Sequence, residues 1–319
     1  MTDDLPASTH ADPPAPQTNA DTERLLAAYL RTLTSPATIK TYNTEIRMFV
    51  VYLVKELGRP SLGSVTAEDL SFYREHLLKT YASATAAKKL AALRRFLTFT
   101  YMVGATLVNP DALRFFAKSP KVLQDPSYNV LTEEELSRML SAARTTNWRD
   151  YVLLAVMAGA GLREAEVVAL KIGDFQEVGD GQVLLRIEGK GNKVRAVPIS
   201  PELWALVQRH VALSGKSLVS RSDARKPLFA SREGRDKALT TRSIRYIVKK
   251  YAEAARITKA ISPHSIRHTV GTNMALNEAP LLVIQQFLGH SDPKTTLRYI
   301  RRAEDLANRA YTYNTLPTS

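Results

Sequence analysis

Residues 262–300 read SPHSIRHTVGTNMALNEAPLLVIQQFLGHSDPKTTLRYI and predict three consecutive short helices. The serine and proline at the start are a helix N-terminus signal, because the hydroxyl accepts a backbone N–H and proline fits the first helical position. A second helix is predicted to begin at Pro280 and to end at Gly289, where a helix favours a left-handed C-cap. Ser291 or Asp292 can then cap a third helix.

Four side chains suited to phosphate chemistry lie beside the ends of these helices. His264 and Arg267 are three residues apart, so both project from one face near the N-terminus of the first helix, where the helix dipole favours an anion. His290 directly follows the end of the second helix, and Tyr299 lies on the third. The opposite side of the first helix is an apolar stripe that is predicted to be buried: Ile266, Val270 and Met274.

Bulk composition points to nucleic acid. The chain has 319 residues, enough for two domains with a core each, and a formal net charge of +13. That excess predicts a polyanionic partner, and nucleic acid is favoured over an acidic membrane because no amphipathic anchor accompanies the basic residues. No cysteine is present, which excludes disulfides and thiolate metal sites and fits a reducing cytosol. We predict a soluble, cytoplasmic, nucleoid-associated protein, since no membrane span or signal peptide is visible. No metal or cofactor is expected.

The sequence divides into four segments. Residues 1–20 hold three aspartates and four prolines but no lysine or arginine, and are predicted to be a disordered acidic tail. Residues 21–117 have helical spacing throughout and are predicted to form a helical core DNA-binding domain. Residues 118–129 are a proline-containing linker. Residues 130–319 form a second domain that mixes helices with a hairpin.

The hairpin is predicted where the period changes from helix to strand. Residues Val183, Leu185 and Ile187 alternate with more polar neighbours, and a second extended run ends at Ile199. The turn between them, 189–192, contains two glycines and places Lys190 at its tip or at the end of the first strand.

Two helices carry clustered basic side chains. A solvated helix face is the ordinary interpretation, and in so basic a chain a contact with the DNA backbone is the alternative. The candidates for this contact are Lys88, Lys89, Arg94 and Arg95 in the first domain, and Arg242 and Arg245 in the second.

Five motifs together resemble the tyrosine recombinase, or phage integrase, family. Within that resemblance, the acidic tail and the lack of an arm-binding domain favour the Xer-type site-specific recombinases. The five motifs are GLREAE at 161–166, GKGNK at 189–193, HSIRHT at 264–269, LGHS at 288–291 and TTLRY at 295–299. Each motif alone is weak, but five in the family's order and spacing are specific. The resemblance covers residues 131–300, whereas the N-terminal half resembles the family's core-binding domain only in its helical pattern.

The resemblance implies a mainly α fold with a small β-sheet. Its parts are an N-terminal helical, SAM-like core-binding domain and an α+β catalytic domain with a C-terminal exchange helix, which form a C-shaped clamp on DNA. It also implies a homo- or heterotetramer on double-stranded DNA with an inverted-repeat core site. A DNA translocase or accessory factor as a further partner stays open.

The implied activity is breaking and rejoining of DNA through a 3′-phosphotyrosine and a Holliday junction, without metal or ATP. Xer-like resolution of chromosome or plasmid dimers, in the service of chromosome segregation, is the first expectation. Integration of a phage or mobile element is the alternative within the family. From other classes, a type IB topoisomerase and a non-catalytic DNA-binding accessory protein stay as alternatives.

The resemblance assigns Tyr299 as the nucleophile, since a tyrosine hydroxyl can store the phosphodiester bond reversibly. Tyr311 and Tyr313 are alternatives in principle, but they follow no helix-end histidine. Arg163 and Arg267 would clamp the non-bridging oxygens, because a guanidinium offers paired donors and keeps its charge.

The remaining assignments concern protons. Lys190 would protonate the departing 5′-oxygen, with Lys193 as the alternative donor. His264 would accept or share the proton of Tyr299, and His290 would hydrogen-bond a transition-state oxygen. His268 is expected to be a supporting or packing residue. Two roles stay open for Glu166, which either tethers Arg163 or faces the backbone.

Overall fold

A computed structural model describes residues 20–59, 61–109, 111, 114–115, 120, 129–189, 194–231 and 236–307, with the side chains of 301–307 excepted. The chain forms two compact units that divide between residues 124 and 125. The predicted tail, 1–20, and the predicted linker, 118–129, lie almost entirely outside the described residues. The prediction of a mainly helical protein with a small sheet is confirmed.

The first unit contains four helices: α1 (Ala20–Arg31), α2 (Pro36–Leu57), α3 (Ala67–Thr80) and α4 (Ser83–Met102). Local sequence signals set their ends. Gly58 stops α2 in the left-handed region, at φ 61°. Thr66 caps α3 by accepting the N–H of Asp69, whose carboxylate in turn accepts the N–H of Thr66.

The apolar faces of these helices form one core. Its most deeply buried members are Leu26, Ile46, Phe49, Leu53, Leu70, Leu77, Leu90, Leu93, Phe96 and Leu97. They recur at helical spacing, as the amphipathic patterns predict.

Lys89 belongs to this interior, and the prediction that it contacts DNA is therefore wrong. Its side chain is 7% exposed and its ammonium lies 2.5 Å from a carboxylate oxygen of Glu45. The same ammonium stands over the ring of Tyr81 at 4.5 Å. A phosphate contact would leave the Glu45 carboxylate without this ion pair, which costs several kcal/mol for a buried group.

The second unit comprises α5 (Glu133–Thr146), α6 (Trp148–Ala160), α7 (Glu164–Ala169), β1 (Phe175–Glu177), β2 (Val183–Glu188), β3 (Val194–Ile199), α8 (Pro201–Leu213), α9 (Thr241–Ala254), α10 (Pro263–Leu276), α11 (Leu281–Leu288) and α12 (Pro293–Ala307). Its core surrounds α6, which is buried on nearly all sides because residues 151–157 are apolar all round the helix. Helix α10 packs against both α6 and α12. Over the part of the chain that the structure describes, no helix has the length and apolar character needed to cross a bilayer.

The strands form one antiparallel sheet in the order β1-β2-β3. The predicted hairpin is present, and its register pairs Val183 with Ile199 and Glu188 with Val194. The short strand β1, which the sequence pattern did not predict, pairs with the outer edge of β2. The predicted turn lysine, Lys190, lies outside the described residues, as do residues 191–193.

The three helices predicted from residues 262–300 are α10, α11 and α12. Ser262 accepts the N–H of Ser265 and so caps α10, with Pro263 in the first turn. Gly289 ends α11 in the left-handed region, at φ 64°. Asp292 accepts the N–H of Lys294 at the start of α12.

Gly161 joins α6 to this region. It ends α6 at φ 59°, and a Cβ added there would lie 2.6 Å from Cδ2 of Leu288 on α11. Glycine is therefore required at this position for two reasons: the left-handed backbone conformation and the close approach of α11.

Gly161→Ala is expected to lower the free energy of unfolding of the second unit by about 3 kcal/mol, combining left-handed strain with overpacking. Gly215→Ala is the matched control, because Gly215 has φ 69° and no atom within 4 Å of its added Cβ. The control should lose only about 1–2 kcal/mol. Urea unfolding followed by tryptophan fluorescence measures both, since Trp148 and Trp204 are the protein's two tryptophans and lie in this unit. Equal losses would contradict the packing role.

Candidate active site

Three arginines converge on the C-terminal end of α11. The carbonyl groups of residues 287–289 accept, in order, from Arg195 at 3.1 Å, from Arg267, and from Arg163 at 3.1 Å. The last carbonyls of a helix lack partners within the helix and form its negative pole. Cationic side chains from α10, from β3 and from the residue before α7 therefore meet at one point.

Glu166 is the carboxylate within this group. Arg195 donates to both of its oxygens at 2.8 Å, and Arg163 donates through its side chain at 2.7 Å and through its backbone N–H at 2.9 Å. Burial alone would raise the pKa of Glu166, but the hydrogen bonds from Arg195 and Arg163 hold that pKa at about 2. Both of the roles left open for Glu166 are observed, since its carboxylate binds the Arg163 guanidinium and also accepts the Arg163 backbone N–H.

Arg267 is the most deeply placed of the three arginines, at 2% exposure. It donates to the carbonyl of Gly161 at 2.5 Å and lies 3.9 Å from Glu166. Burial, with repulsion from Arg163 second, lowers the pKa of Arg267 to about 10, so it stays charged at neutral pH. Three guanidinium groups thus share one carboxylate, and the excess positive charge favours an anion such as a phosphate.

Tyr299 lies beside this cluster on α12 and is 3% exposed. Its hydroxyl is 2.9 Å from Nδ1 of His268. Its ring stacks on that of His290, with centroids 5.7 Å apart and an interplanar angle of 18°. His290 is oriented in turn by a 2.9 Å hydrogen bond between its Nδ1 and the hydroxyl of Thr296.

His268, predicted to be a supporting or packing residue, contacts the Tyr299 hydroxyl directly, and the sequence did not predict this partner. His264, to which the sequence assigned the proton of Tyr299, is exposed and lies against the His268 ring, at 5.9 Å between centroids. Residues four apart lie above one another on a helix face, so the sequence spacing already places His268 beside His264. A candidate at 264 therefore implies a second candidate at 268.

The three histidines are neutral at pH 7 in this environment. Burial, followed by neighbouring charges that include Arg267, lowers all three pKa values. The pKa of His268 falls to about 4 and that of His290 to about 3, and the pKa of His264 is also lowered. A neutral imidazole can accept a proton or donate one hydrogen bond, depending on its tautomer.

Arg195 is a second residue that sequence reasoning missed. It shares a strand face with Val197 and Ile199, both of which are buried. A charged residue at an inward-facing strand position requires a buried partner, which here is Glu166. That alternation was the available signal, although the partner itself could not be read from the strand.

The predicted DNA-contact residues are spread over both units. Lys88, Arg95 and Arg242 are exposed, and Arg94 is half-buried. Arg245 is exposed too, but its Nε donates to Glu164 at 2.7 Å. Within the described ranges, no group of three or more histidine, aspartate or glutamate side chains is arranged to hold a metal ion.

Comparison with known proteins assigns the family. The profile of the Phage integrase family matches residues 129–305, and that of the Phage integrase N-terminal SAM-like domain matches residues 25–103. The chain belongs to the phage integrase family. The predicted family and SAM-like N-terminal domain are thereby confirmed.

Curated members of this family are similar over most of the chain. Tyrosine recombinase XerC of Halalkalibacterium halodurans is 31% identical over 87% of this chain and 90% of its own length. Tyrosine recombinase XerD of Haemophilus influenzae is 31% identical, covering 87% of this chain and 91% of its own. Among solved structures, the post-cleavage complex of XerH recombinase with a palindromic difH substrate shares the fold, with a TM-score of 0.69. The two chains are 21% identical, and the match covers 92% of this chain and 84% of the XerH chain.

Removing the charge of Glu166, the carboxylate that the three arginines share, should destabilise the second unit strongly. Glu166→Gln leaves three close guanidinium groups without a counter-charge, and we expect a loss of about 3 kcal/mol in urea unfolding at pH 7. Glu188→Gln is the matched control, because Glu188 pairs with Arg186 at 2.9 Å but with half-exposed side chains. The control should lose less than about 1 kcal/mol. A Glu166→Gln loss no larger than the control's would contradict the proposed energetics.

Acid should destabilise the folded second unit before its carboxylates titrate. The pKa values of His268 and His290 lie below the ordinary 6.5, so the unfolded state binds protons first as the pH falls. The stability is complete above about pH 6.5 and is lost progressively towards pH 4. Unfolding free energies at pH 7, 6, 5 and 4.5 measure this, and His268→Asn should reduce the slope. An unchanged slope in that variant would contradict the lowered pKa of His268.

Proposed function

We propose that this protein is a site-specific DNA recombinase that cuts and rejoins strands through Tyr299. The observation that carries the proposal is the pairing of a buried tyrosine nucleophile with a cluster of three guanidinium groups and one carboxylate. The cluster has excess positive charge, and its members Arg267 and Glu166 are buried. A phosphodiester supplies the missing negative charge, and the tyrosine supplies a group able to bond covalently to it.

In the proposed reaction, the oxygen of Tyr299 attacks the scissile phosphorus and the bond to the 5′-oxygen breaks. The products are a 3′-phosphotyrosyl link and a free 5′-hydroxyl, and the reverse reaction joins a new strand. Arg163 and Arg267 stabilise the charge on the non-bridging oxygens as the phosphorane forms. Their present hydrogen bonds to carbonyls 288 and 289 support a phosphate site beside the end of α11.

Two further groups complete the proposed chemistry. Lys190, or Lys193 as the alternative, protonates the leaving 5′-oxygen from the turn of the β2–β3 hairpin. His290 donates a hydrogen bond to a phosphate oxygen, and its bond to Thr296 fixes the ring for that purpose. The strand β3 that follows this segment in the sequence carries Arg195, which belongs to the same cluster.

The proposed substrate is double-stranded DNA with an inverted-repeat core site, bound by a tetramer. The exposed basic residues Lys88, Arg95 and Arg242 are proposed to contact its backbone, together with Arg94 and Arg245. The solved relative XerH is bound to a palindromic site, and curated relatives over most of the chain are XerC and XerD. These relatives support an Xer-like recombinase. Resolution of chromosome or plasmid dimers is therefore proposed first, with integration of a phage or mobile element as the alternative.

Tyr299→Phe is expected to abolish covalent protein–DNA adducts while leaving DNA binding intact, because only the attacking oxygen is removed. Adducts are trapped with denaturant on fragmented genomic DNA, and the attached ends are sequenced. Tyr311→Phe and Tyr313→Phe are the controls and should form adducts at the wild-type level.

Each outcome decides between functions. Clustering of Tyr299-dependent adducts at one inverted repeat supports dimer resolution. Clustering at the border of a mobile element would replace that role by integration. DNA binding by the wild type without any adduct would favour the accessory-protein alternative, and adducts in Tyr299→Phe would show another nucleophile.

A further inference from the structure

We infer that His268 is the base that accepts the hydroxyl proton of Tyr299 during strand cleavage. The inference rests on the proposed function and concerns a step for which the sequence favoured His264. Nδ1 of His268 is 2.9 Å from the tyrosine oxygen, which is hydrogen-bond distance for direct transfer. The ring centroids are 5.5 Å apart and inclined by 51°, so the contact is edge-on through the nitrogen and not a face-to-face stack.

The surroundings hold His268 in the protonation state that the step requires. Its own helix presents His264 and Arg267, helix α12 presents Arg298 and Tyr299, and His290 lies nearby on the loop between α11 and α12. Burial disfavours the charged form of the His268 imidazole, and the two cations of this set, Arg267 and Arg298, disfavour it further. The imidazole is therefore neutral at pH 7. With its hydrogen on Nε2, a neutral His268 presents an acceptor lone pair on Nδ1 to the tyrosine hydroxyl.

The phosphate changes this balance. A scissile phosphodiester bound at Arg163 and Arg267 brings a negative charge next to the histidines, and that charge grows as the phosphorane forms. An imidazolium at 268 is then favoured, since an opposite charge nearby stabilises the charged form. The base therefore gains proton affinity when DNA is bound.

The step balances. The O–H bond of Tyr299 breaks and its proton moves to Nδ1 of His268, which becomes imidazolium. The tyrosine oxygen forms a bond to phosphorus, and the bond from phosphorus to the 5′-oxygen breaks. The 5′-oxygen takes a proton from the general acid, assigned here to Lys190. In rejoining, the 5′-hydroxyl attacks, and His268 returns its proton to the departing tyrosine oxygen.

The test is single-turnover cleavage of a duplex containing the mapped adduct site, with a 5′-bridging sulfur at the scissile position. A thiolate leaves without protonation, so the contribution of Lys190 or Lys193 is removed and only activation of the nucleophile is measured. The variants are His268→Asn, whose amide reaches the position of Nδ1 but is not a base, and His268→Ala. His264→Asn, one turn earlier on the same helix, is the matched comparison.

Cleavage by His268→Asn is expected to be about 100- to 10,000-fold slower than wild type at pH 7. Its rate should rise about tenfold per pH unit towards the pKa of tyrosine, about 10, because the phenolate must then form without assistance. Wild type and His264→Asn should show no such rise. Unfolding midpoints and affinity for the uncleaved duplex are measured alongside, so that a misfolded variant is recognised and the Ala and Asn variants cross-check each other.

Other results overturn the inference. Equal slowing of cleavage by His268→Asn at every pH would make His268 a positioning residue. Faster cleavage by this variant would mean that His268 restrains Tyr299 from attacking. The rising profile in His264→Asn instead would return the role to His264. Failure of the wild type to form any Tyr299 adduct would overturn the proposed function itself, whereas a wild-type rate in both His268 variants would overturn only this inference.

Discussion

The meeting of three guanidinium groups with Glu166 and the carbonyls of residues 287–289 is the interaction on which the second unit depends. It joins α7, β3, α10 and α11, four elements that are far apart in sequence. Burying this much charge costs several kcal/mol per group unless each one is paired and hydrogen-bonded. The arrangement is therefore specific: any shift of α11 removes the carbonyls from three cations at once.

Close packing also fixes the position of Tyr299, the proposed nucleophile. Gly271 lies on the face of α10 that meets α12, and a Cβ there would stand 2.9 Å from a ring carbon of Tyr299. Absence of that Cβ lets the tyrosine ring lie close to α10, one turn from His268. The geometry of the hydrogen bond between Tyr299 and His268 therefore depends on the close approach of the Tyr299 ring to the α10 backbone as well as on the two side chains.

Local signals in the sequence predicted the elements well. The Ser262–Pro263 start and the Gly289 stop are where they were expected, because capping and left-handed glycine depend only on nearby residues. Three features that the sequence did not predict depend on tertiary contacts. Lys89 faces the core because Glu45 of another helix neutralises it, and Arg195 and His268 acquire their partners only when strands and helices are packed. Sequence spacing gives a residue's face on its own helix but not the angle at which the next helix crosses it.

The lowered pKa values of His268, His290 and Arg267 have one further consequence. Burial together with neighbouring cations, Arg267 among them, disfavours additional positive charge at the histidines while the site lacks an anion. In the proposed mechanism, a bound phosphate offsets part of this positive field, so proton affinity rises at the histidine that accepts the tyrosine proton. Activation of Tyr299 is then thermodynamically linked to binding of its substrate. An enzyme that stores DNA strands as covalent intermediates benefits from this linkage, because the nucleophile is a poor one until the scissile phosphate is in place.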